Sequence, residues 1–373
     1  MSNAFEEGLN PKPRTPLERL RSMSTVSRVD DMKKNLENEF YVFDGLALDG
    51  QMTLFYAKPN TGKTLIFLRL IIDAIQDGRI KAEDVFYINA DDSYRGLTTK
   101  SEIAKKHGFE MISPAEAGLS PQEIISLLDE ISQTNEAKGK VIVLDTLKKF
   151  ADMMNKSSQK ALYESLRKLT TNNATIIIAG HANKKLEDDK LIYEGTSDTM
   201  NDIDCAYSIN LMTEPEGDVV VEFRREKSRG DNTAKVSFGY KRSSGMSYQQ
   251  LLDTVYKLDD SQVVRVKSLS DIQQKMNRYE SEALFIKTIL KDGVMNQTEI
   301  LQAYAKDEAA REEFSKSSLK KCLNDLADIV WTVTRDYSKN NIKQFAIIKP
   351  TTEENAKQHG GCKTRKPKSQ SEH

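Results

Sequence analysis

The chain has 373 residues, 38% hydrophobic and 30% charged, with 55 Lys and Arg against 56 Asp and Glu for a formal net charge of −1. That length exceeds one average domain and supplies apolar residues for two or three folded units, while the balanced charge excludes a polycation and leaves nucleic-acid affinity to local patches. With no apolar run of about 18 residues, three distant cysteines (Cys205, Cys322, Cys362) without disulfide or zinc spacing, and a polar N-terminus unlike a signal peptide, the expectation is a soluble, cytoplasmic protein with no membrane partner.

In chain order, residues 1–15 read as a disordered arm. Residues 16–38 read as a polar helix with Leu17, Leu20, Met23 and Val26 spaced three apart, either packed on a neighbour or solvated. From Phe40 the texture changes. Apolar strand candidates at 52–57, 85–89, 141–145 and 175–180 alternate with helix candidates at 63–76, 93–107, 121–134 and 159–169. Short, wholly apolar strands alternating with helices predict an α/β unit whose mostly parallel sheet is sandwiched by helices. Strands at 206–211, 218–224 and 234–240 are expected to extend that sheet antiparallel. A smaller unit follows, with helices at 279–291, 296–304 and 315–326 and a hairpin of 330–334 with 344–348. This is the element order of a winged helix. The domain boundaries expected are 1–38, 39–258, 259–350 and 351–373, the last a polar, basic, disordered tail.

The strongest chemical signal is Ala57-Lys58-Pro59-Asn60-Thr61-Gly62-Lys63-Thr64, which follows an apolar strand and opens a helix at Leu65. In that context backbone N–H groups and a helix N-terminus face phosphates, so Lys58 to Leu65 form a nucleotide-binding loop for ATP. Lys63 reaches the β- and γ-phosphates, and the Thr64 hydroxyl holds Mg²⁺. Alanine replaces the usual first glycine, which a negative φ at Ala57 permits. The strand 141–145 ends in Asp145, a second oxygen donor placed to order Mg²⁺ and its waters. After the strand 85–89 come Asp91 and Asp92: Asp91 is the candidate for polarising the attacking water, Asp92 for capping or support. His181 ends the strand 175–180 beside the other strand ends, where ligands collect in open α/β sheets.

This order of loop, acidic strand end, Asp145-Thr146 and strand-terminal His181 resembles the RecA-type ATPases. The resemblance is nearest to the branch of plasmid RepA-type and phage hexameric replicative helicases, beside DnaB, RadA and KaiC. It covers about residues 40–245 and includes Val143-Leu144-Asp145-Thr146-Leu147-Lys148-Lys149-Phe150. Glu226-Lys227-Ser228-Arg229-Gly230 is similar to the Lys-x-Arg element of that branch. The resemblance implies a homo-hexamer hydrolysing ATP at subunit interfaces, with Lys227 and Arg229 acting on the neighbour's nucleotide and His181 reporting loss of the γ-phosphate. The bland reading of Lys227 and Arg229 is a solvated basic face. Asp91 stands where the family usually has glutamate, one methylene longer.

By the same resemblance, the stretches 148–158 and 182–199 line a central channel for single-stranded DNA. Lys148, Lys149 and Lys156 in the first, and Lys184 and Lys185 in the second, suit phosphate tracking, with Phe150 and Tyr193 as stacking partners; ordinary solvated loops are the alternative. In the C-terminal unit Lys320, Lys321 and Lys339 lie on a recognition helix and basic wing. That surface serves duplex DNA, a replication protein, or packing. The function expected is an ATP-driven DNA helicase or translocase of plasmid or phage-like replication. The alternatives are a recombination mediator or regulator of the same fold, and a DNA-binding initiator that ATP only switches.

Overall fold

The computed structural model describes residues 15–37, 39–150, 156–187, 190–195, 197–212, 218–242, 244–337 and 341–348. The expected arm (largely), the tail and the hairpin tip with Lys339 lie outside them. The chain divides into two compact units between Val263 and Val264.

The first unit opens with α1 (Pro16–Ser22) and α2 (Val29–Glu37), separated by a short 3-10 turn, and a small ladder of β1 (Tyr41–Phe43) with β2 (Ala47–Leu48). Thr15 caps α1 through a capping box with Glu18, yet no α1 residue is buried. Leu17, Leu20, Met23 and Val26 are all exposed within this chain.

Then come β3 (Met52–Ala57), α3 (Lys63–Gln76), β4 (Val85–Asn89), α4 (Tyr94–His107), β5 (Glu110–Ile112), α5 (Pro121–Ser132), β6 (Val141–Asp145), α6 (Lys156–Thr171), β7 (Thr175–Glu187), β8 (Lys190–Tyr193), α7 (Ser197–Asp202), β9 (Cys205–Leu211), β10 (Asp218–Ser228), β11 (Lys235–Lys241), α8 (Tyr248–Asp253) and β12 (Tyr256–Lys257). Among the described residues they build one sheet in the order β12-β11-β10-β9-β3-β7-β6-β4-β5, with β8 pairing off β7. The strands from β9 to β5 are mutually parallel; β10, β11 and β12 run antiparallel. The antiparallel extension expected from position 206 therefore begins one strand later, because β9 enters beside β3 with Thr53 opposite Cys205.

Strand alternation explains the unbroken apolar runs. Phe55, Ala57, Val141, Val143, Ile177 and Ala179 face a core shared with α3 and α4. Met52, Leu54, Ile142, Leu144, Ile176 and Ile178 face a second core with α5 and α6. A central strand covered on both sides has no polar face to display. Rings of Phe43, Phe55, Phe67, Tyr207 and Phe223 cluster on the first side at 5.2 to 6.0 Å between centroids, within the range where aromatic pairs attract beyond their area. This core clamps α3, the helix that carries Lys63 and Thr64, onto the sheet.

Among the described residues, most of the expected loop 182–199 is regular. β7 continues through Glu187 and returns as the antiparallel β8, Ala182 opposite Tyr193. Phe150 and Tyr193 are 1% and 5% exposed and sit in the second core. The expectation that they stack on bases is corrected: burial takes both rings away from any ligand.

The helix α9 (Asp260–Arg278), which sequence patterning did not predict, contains the division between the units. The second unit then holds α10 (Glu280–Leu290), β13 (Met295–Asn296), α11 (Gln297–Lys306), α12 (Glu308–Glu313), α13 (Lys316–Asp325), β14 (Trp331–Asp336) and β15 (Ile342–Ile347). Its three-stranded sheet has the order β13-β15-β14. Asn296 opens α11 through a capping box with Glu299, an arrangement that satisfies two orphan amides reciprocally. Trp331 is fully buried, and its indole N–H donates to the Leu323 carbonyl at 3.1 Å.

Candidate functional site

The C-terminal ends of the parallel strands converge on one edge of the sheet. Ala57 lies opposite His181, and Asp145 lies between Asn89 and Ala179. Ala57 closes β3 without a positive φ, the chain then turns through Asn60 at φ 62°, and Gly62 at φ 80° caps α3. The Thr61 hydroxyl donates to the Lys58 carbonyl at 2.9 Å. Lys58, Pro59 and Asn60 are exposed, while Lys63 is buried at 8% exposure.

Across this turn the Thr64 hydroxyl donates to Asp145 Oδ2 at 2.7 Å, although the two are 81 positions apart. The Tyr87 hydroxyl donates to the same oxygen at 2.6 Å. Burial lowers the pKa of Lys63; Asp145 and Asp91 act to raise it and Lys148 to lower it. A buried ammonium beside two carboxylates, at the mouth of a turn opening onto a helix N-terminus, is a receptor for an anion. The oxygen pair of Thr64 and Asp145 suits a hard cation. Mg²⁺ is commonly held by one or two protein oxygens together with phosphates and water, and Thr64 and Asp145 supply two. The residues present therefore fit both a triphosphate and Mg²⁺.

Asp91 and Asp92 separate as the structure places them. Asp92 is taken by the amide of Asn89 and the ammonium of Lys100, and Lys100 in turn lies 5.5 Å from the Tyr248 ring centroid. It is held inside this network rather than capping α4, whose cap residue is Ser93. Asp91 stays at the site's mouth, 3.6 Å from the Lys149 ammonium, both side chains nearly half exposed. His181 is partly buried, with Nε2 buried and unpartnered among the described residues. Burial, then Lys63 and Lys148, lower its pKa, with Asp91 and Glu194 acting to raise it.

Two of the lysines expected on a DNA channel also lie near this site. Lys149 faces Asp91, and Lys148 acts electrostatically on Lys63 and His181. Lys156 lies in α6, and Lys184 and Lys185 in β7; their side chains are outside the described residues. Lys320 and Lys321 are exposed on α13, and Lys339 lies outside the described residues.

Lys227 and Arg229 are not part of this chain's own site. Lys227 pairs with Ala206 on β9, and the Arg229 amide donates to the Asp204 carbonyl. Ala206 stands opposite Leu54, which puts the Lys227 backbone three residues or about 10 Å from the level of Ala57, while Arg229 is at the level where β3 begins, five residues or about 16 Å away. Their cations are engaged locally: Lys227 donates to the Met200 and Asn201 carbonyls, and Arg229 to Asn201 at 2.7 Å and to Asp204 at 3.4 Å.

Three contributors escaped the sequence reading. Tyr87 looked like one more apolar strand residue. Tyr240 and Arg242, at the end of β11, approach the phosphate-binding turn from outside. Arg242 donates to the Asn60 carbonyl at 3.1 Å, and a Cβ on Gly62 would meet the Tyr240 hydroxyl at 2.6 Å. The available signal was the Tyr240-Lys241-Arg242 cluster at a strand end, but nothing local links it to residues as far as 182 positions upstream. Gly62→Ala is expected to destabilise the fold by more than about 1 kcal/mol, since a left-handed φ alone costs an L-residue that much and the Tyr240 ring closes the space. A denaturation midpoint equal to wild type would contradict this.

Residues 14–187 match the family model described as AAA domain. No curated protein matches the chain. The matched span contains the turn, Thr64, Tyr87, Asp91, Asp145 and His181. The match and the mostly parallel, helix-flanked sheet fit an ATPase of the P-loop class with a RecA-like fold. Among the described residues no helix is long and apolar enough to cross a membrane.

Proposed function

We propose that the chain is a Mg²⁺-dependent ATPase acting on DNA, a helicase or translocase of a plasmid- or phage-like replication system working as a homo-hexamer. The observation that carries the ATPase core of this reading is the 2.7 Å contact of Thr64 with Asp145 beside buried Lys63. The turn Lys58 to Leu65 binds the phosphates, and Lys63 places its charge on the β/γ oxygens. Thr64 and Asp145 hold Mg²⁺, which when bound neutralises charge on the phosphoryl oxygens. Asp91 accepts a proton from, or orients, the attacking water. His181, with Nε2 unpartnered among the described residues, reports loss of the γ-phosphate.

Support for a neighbour's participation is the distance of Lys227 and Arg229 from their own site: they serve catalysis in trans or not at all. An arginine supplied in trans is worth about 10³–10⁵ in rate. Arg229→Ala is expected to cut hydrolysis at least about 10²-fold with nucleotide affinity kept, because Arg229 lies away from its own chain's phosphate-binding turn; the fold is kept because Arg167 remains on Asp204 at 2.8 Å. Mixing Arg229→Ala with Asp145→Ala should restore part of the activity. Unchanged turnover in Arg229→Ala removes the finger role.

The DNA reading draws on the β7–β8 hairpin, which carries Lys184, Lys185 and Lys190 in sequence, and on the second unit. There the order of α10, β13, α11, α12, α13, β14 and β15 supports a winged-helix reading, with exposed Lys320 and Lys321 on α13 and Arg335 opposite Lys343 on the hairpin. Like charges facing across a ladder are unfavourable by themselves and suit a polyanion. We assign that surface to duplex DNA, with a replication protein as the other occupant. One observation favours a second reading, an ATP-switched initiator or regulator: Asp91 is one methylene short and faces Lys149, which weakens it as a water activator. ATP hydrolysis with and without single-stranded DNA separates the two. Strong stimulation supports the motor; nucleotide binding with negligible turnover in both conditions overturns it in favour of the switch.

A further inference from the structure

The metal-ordering carboxylate has a partner that the phosphate-binding turn does not supply. We propose that Tyr87 is a positioning residue of the cation site: by holding Oδ2 of Asp145, it fixes where the Thr64 proton points and so reserves the lone pairs of the Thr64 hydroxyl for a divalent cation. The proposal rests on the ATPase reading above and adds a residue to it.

The geometry is closed on the protein side. Tyr87 stands in β4 directly opposite Val143 of β6, two residues before Asp145, and its side chain is wholly buried. Its hydroxyl donates to Oδ2 at 2.6 Å, and Thr64 donates to the same oxygen at 2.7 Å. A phenol, which ordinarily titrates at about pH 10, remains an O–H donor at neutral pH.

A threonine hydroxyl has one proton and two lone pairs. With the proton committed to Oδ2, what Thr64 offers in other directions is acceptor capacity, the property a hard cation uses. A carboxylate held by Thr64 alone is free to turn about its terminal torsion, and the Thr64 proton turns with it. The second bond from Tyr87 removes that freedom. Partners of this kind, which touch a ligating group and not the ion, commonly change metal affinity about 10- to 100-fold. If the ring served packing alone, phenylalanine at position 87 would serve equally well.

Calorimetric titration of Mg²⁺ into the full chain, saturated with a nonhydrolysable ATP analogue, tests this on Tyr87→Phe against wild type. The expected result is a Mg²⁺ Kd raised about tenfold, with affinity for the analogue in EDTA changed far less, while the melting temperature without ligands falls modestly through loss of the bond to a buried carboxylate. A double-mutant cycle with Thr64→Ala completes the test. Once the Thr64 hydroxyl is gone, Tyr87→Phe should add little, and an undiminished effect means Tyr87 does not act through Thr64. A Mg²⁺ Kd for Tyr87→Phe equal to wild type overturns the proposal and leaves the ATPase reading standing. Absence of Mg²⁺-dependent binding in wild type overturns both.

Discussion

Lys63→Ala is expected to abolish nucleotide-dependent stabilisation and ATP turnover. Charge-assisted contacts to phosphate are about twice as strong as neutral ones, and this ammonium is buried where solvent does not screen it. A loss of about 10²-fold in affinity follows, near 2.7 kcal/mol. At a nucleotide concentration of about 100 times the wild-type Kd, ligation stabilises wild type by about 2.7 kcal/mol. The variant at that concentration retains about 0.4 kcal/mol, and its melting curve with ATP should lie almost on the ligand-free one. Without ligand the sign differs. Burial disfavours the charged form of Lys63, so Lys63→Met, which keeps the stem and drops the charge, should melt no lower than wild type. A nucleotide-induced shift in Lys63→Ala as large as in wild type would sink the site assignment.

Asp145→Ala should lose both hydrolysis and stability, whereas Asp145→Asn should lose hydrolysis alone. Both remove the negative charge that orders the cation, for a fall of at least about 10²-fold in turnover. The difference lies with Tyr87. Alanine leaves its wholly buried hydroxyl without the acceptor it has at 2.6 Å, a penalty of about 1–3 kcal/mol for an unsatisfied buried donor. Asparagine keeps a carbonyl oxygen at the same place. Chemical denaturation of both variants checks this: a midpoint for Asp145→Ala equal to that of Asp145→Asn means that Tyr87 finds another acceptor.

The central strands were legible in sequence because burial on both faces leaves an unmistakable apolar run, and β3, β4 and β6 begin and end where that pattern does. The turn at Lys58 to Thr64 was legible for the same kind of reason, since a local stretch of backbone binds phosphate and the sequence spells it contiguously. The Asp91-Asp92 pair was only half legible. Two adjacent carboxylates look alike until Lys100 and Asn89 claim one of them. The stretch after His181 misled because its polar composition suits a loop and a two-stranded ribbon alike; pairing with β8, not propensity, makes it strand.

Sequence alone determined the alternation of strands and helices, the phosphate-binding turn and the carboxylate at the end of β6, since each depends on neighbours in the chain or on simple burial. Only the tertiary structure decided that Thr64 and Tyr87 share one oxygen of Asp145, that Tyr240 and Arg242 brace the turn from β11, and that Lys227 and Arg229 stand back from the turn along the sheet. These relations join residues 23 to 182 positions apart. They are set by strand order and register, and no local preference of the backbone encodes which strand lies beside which.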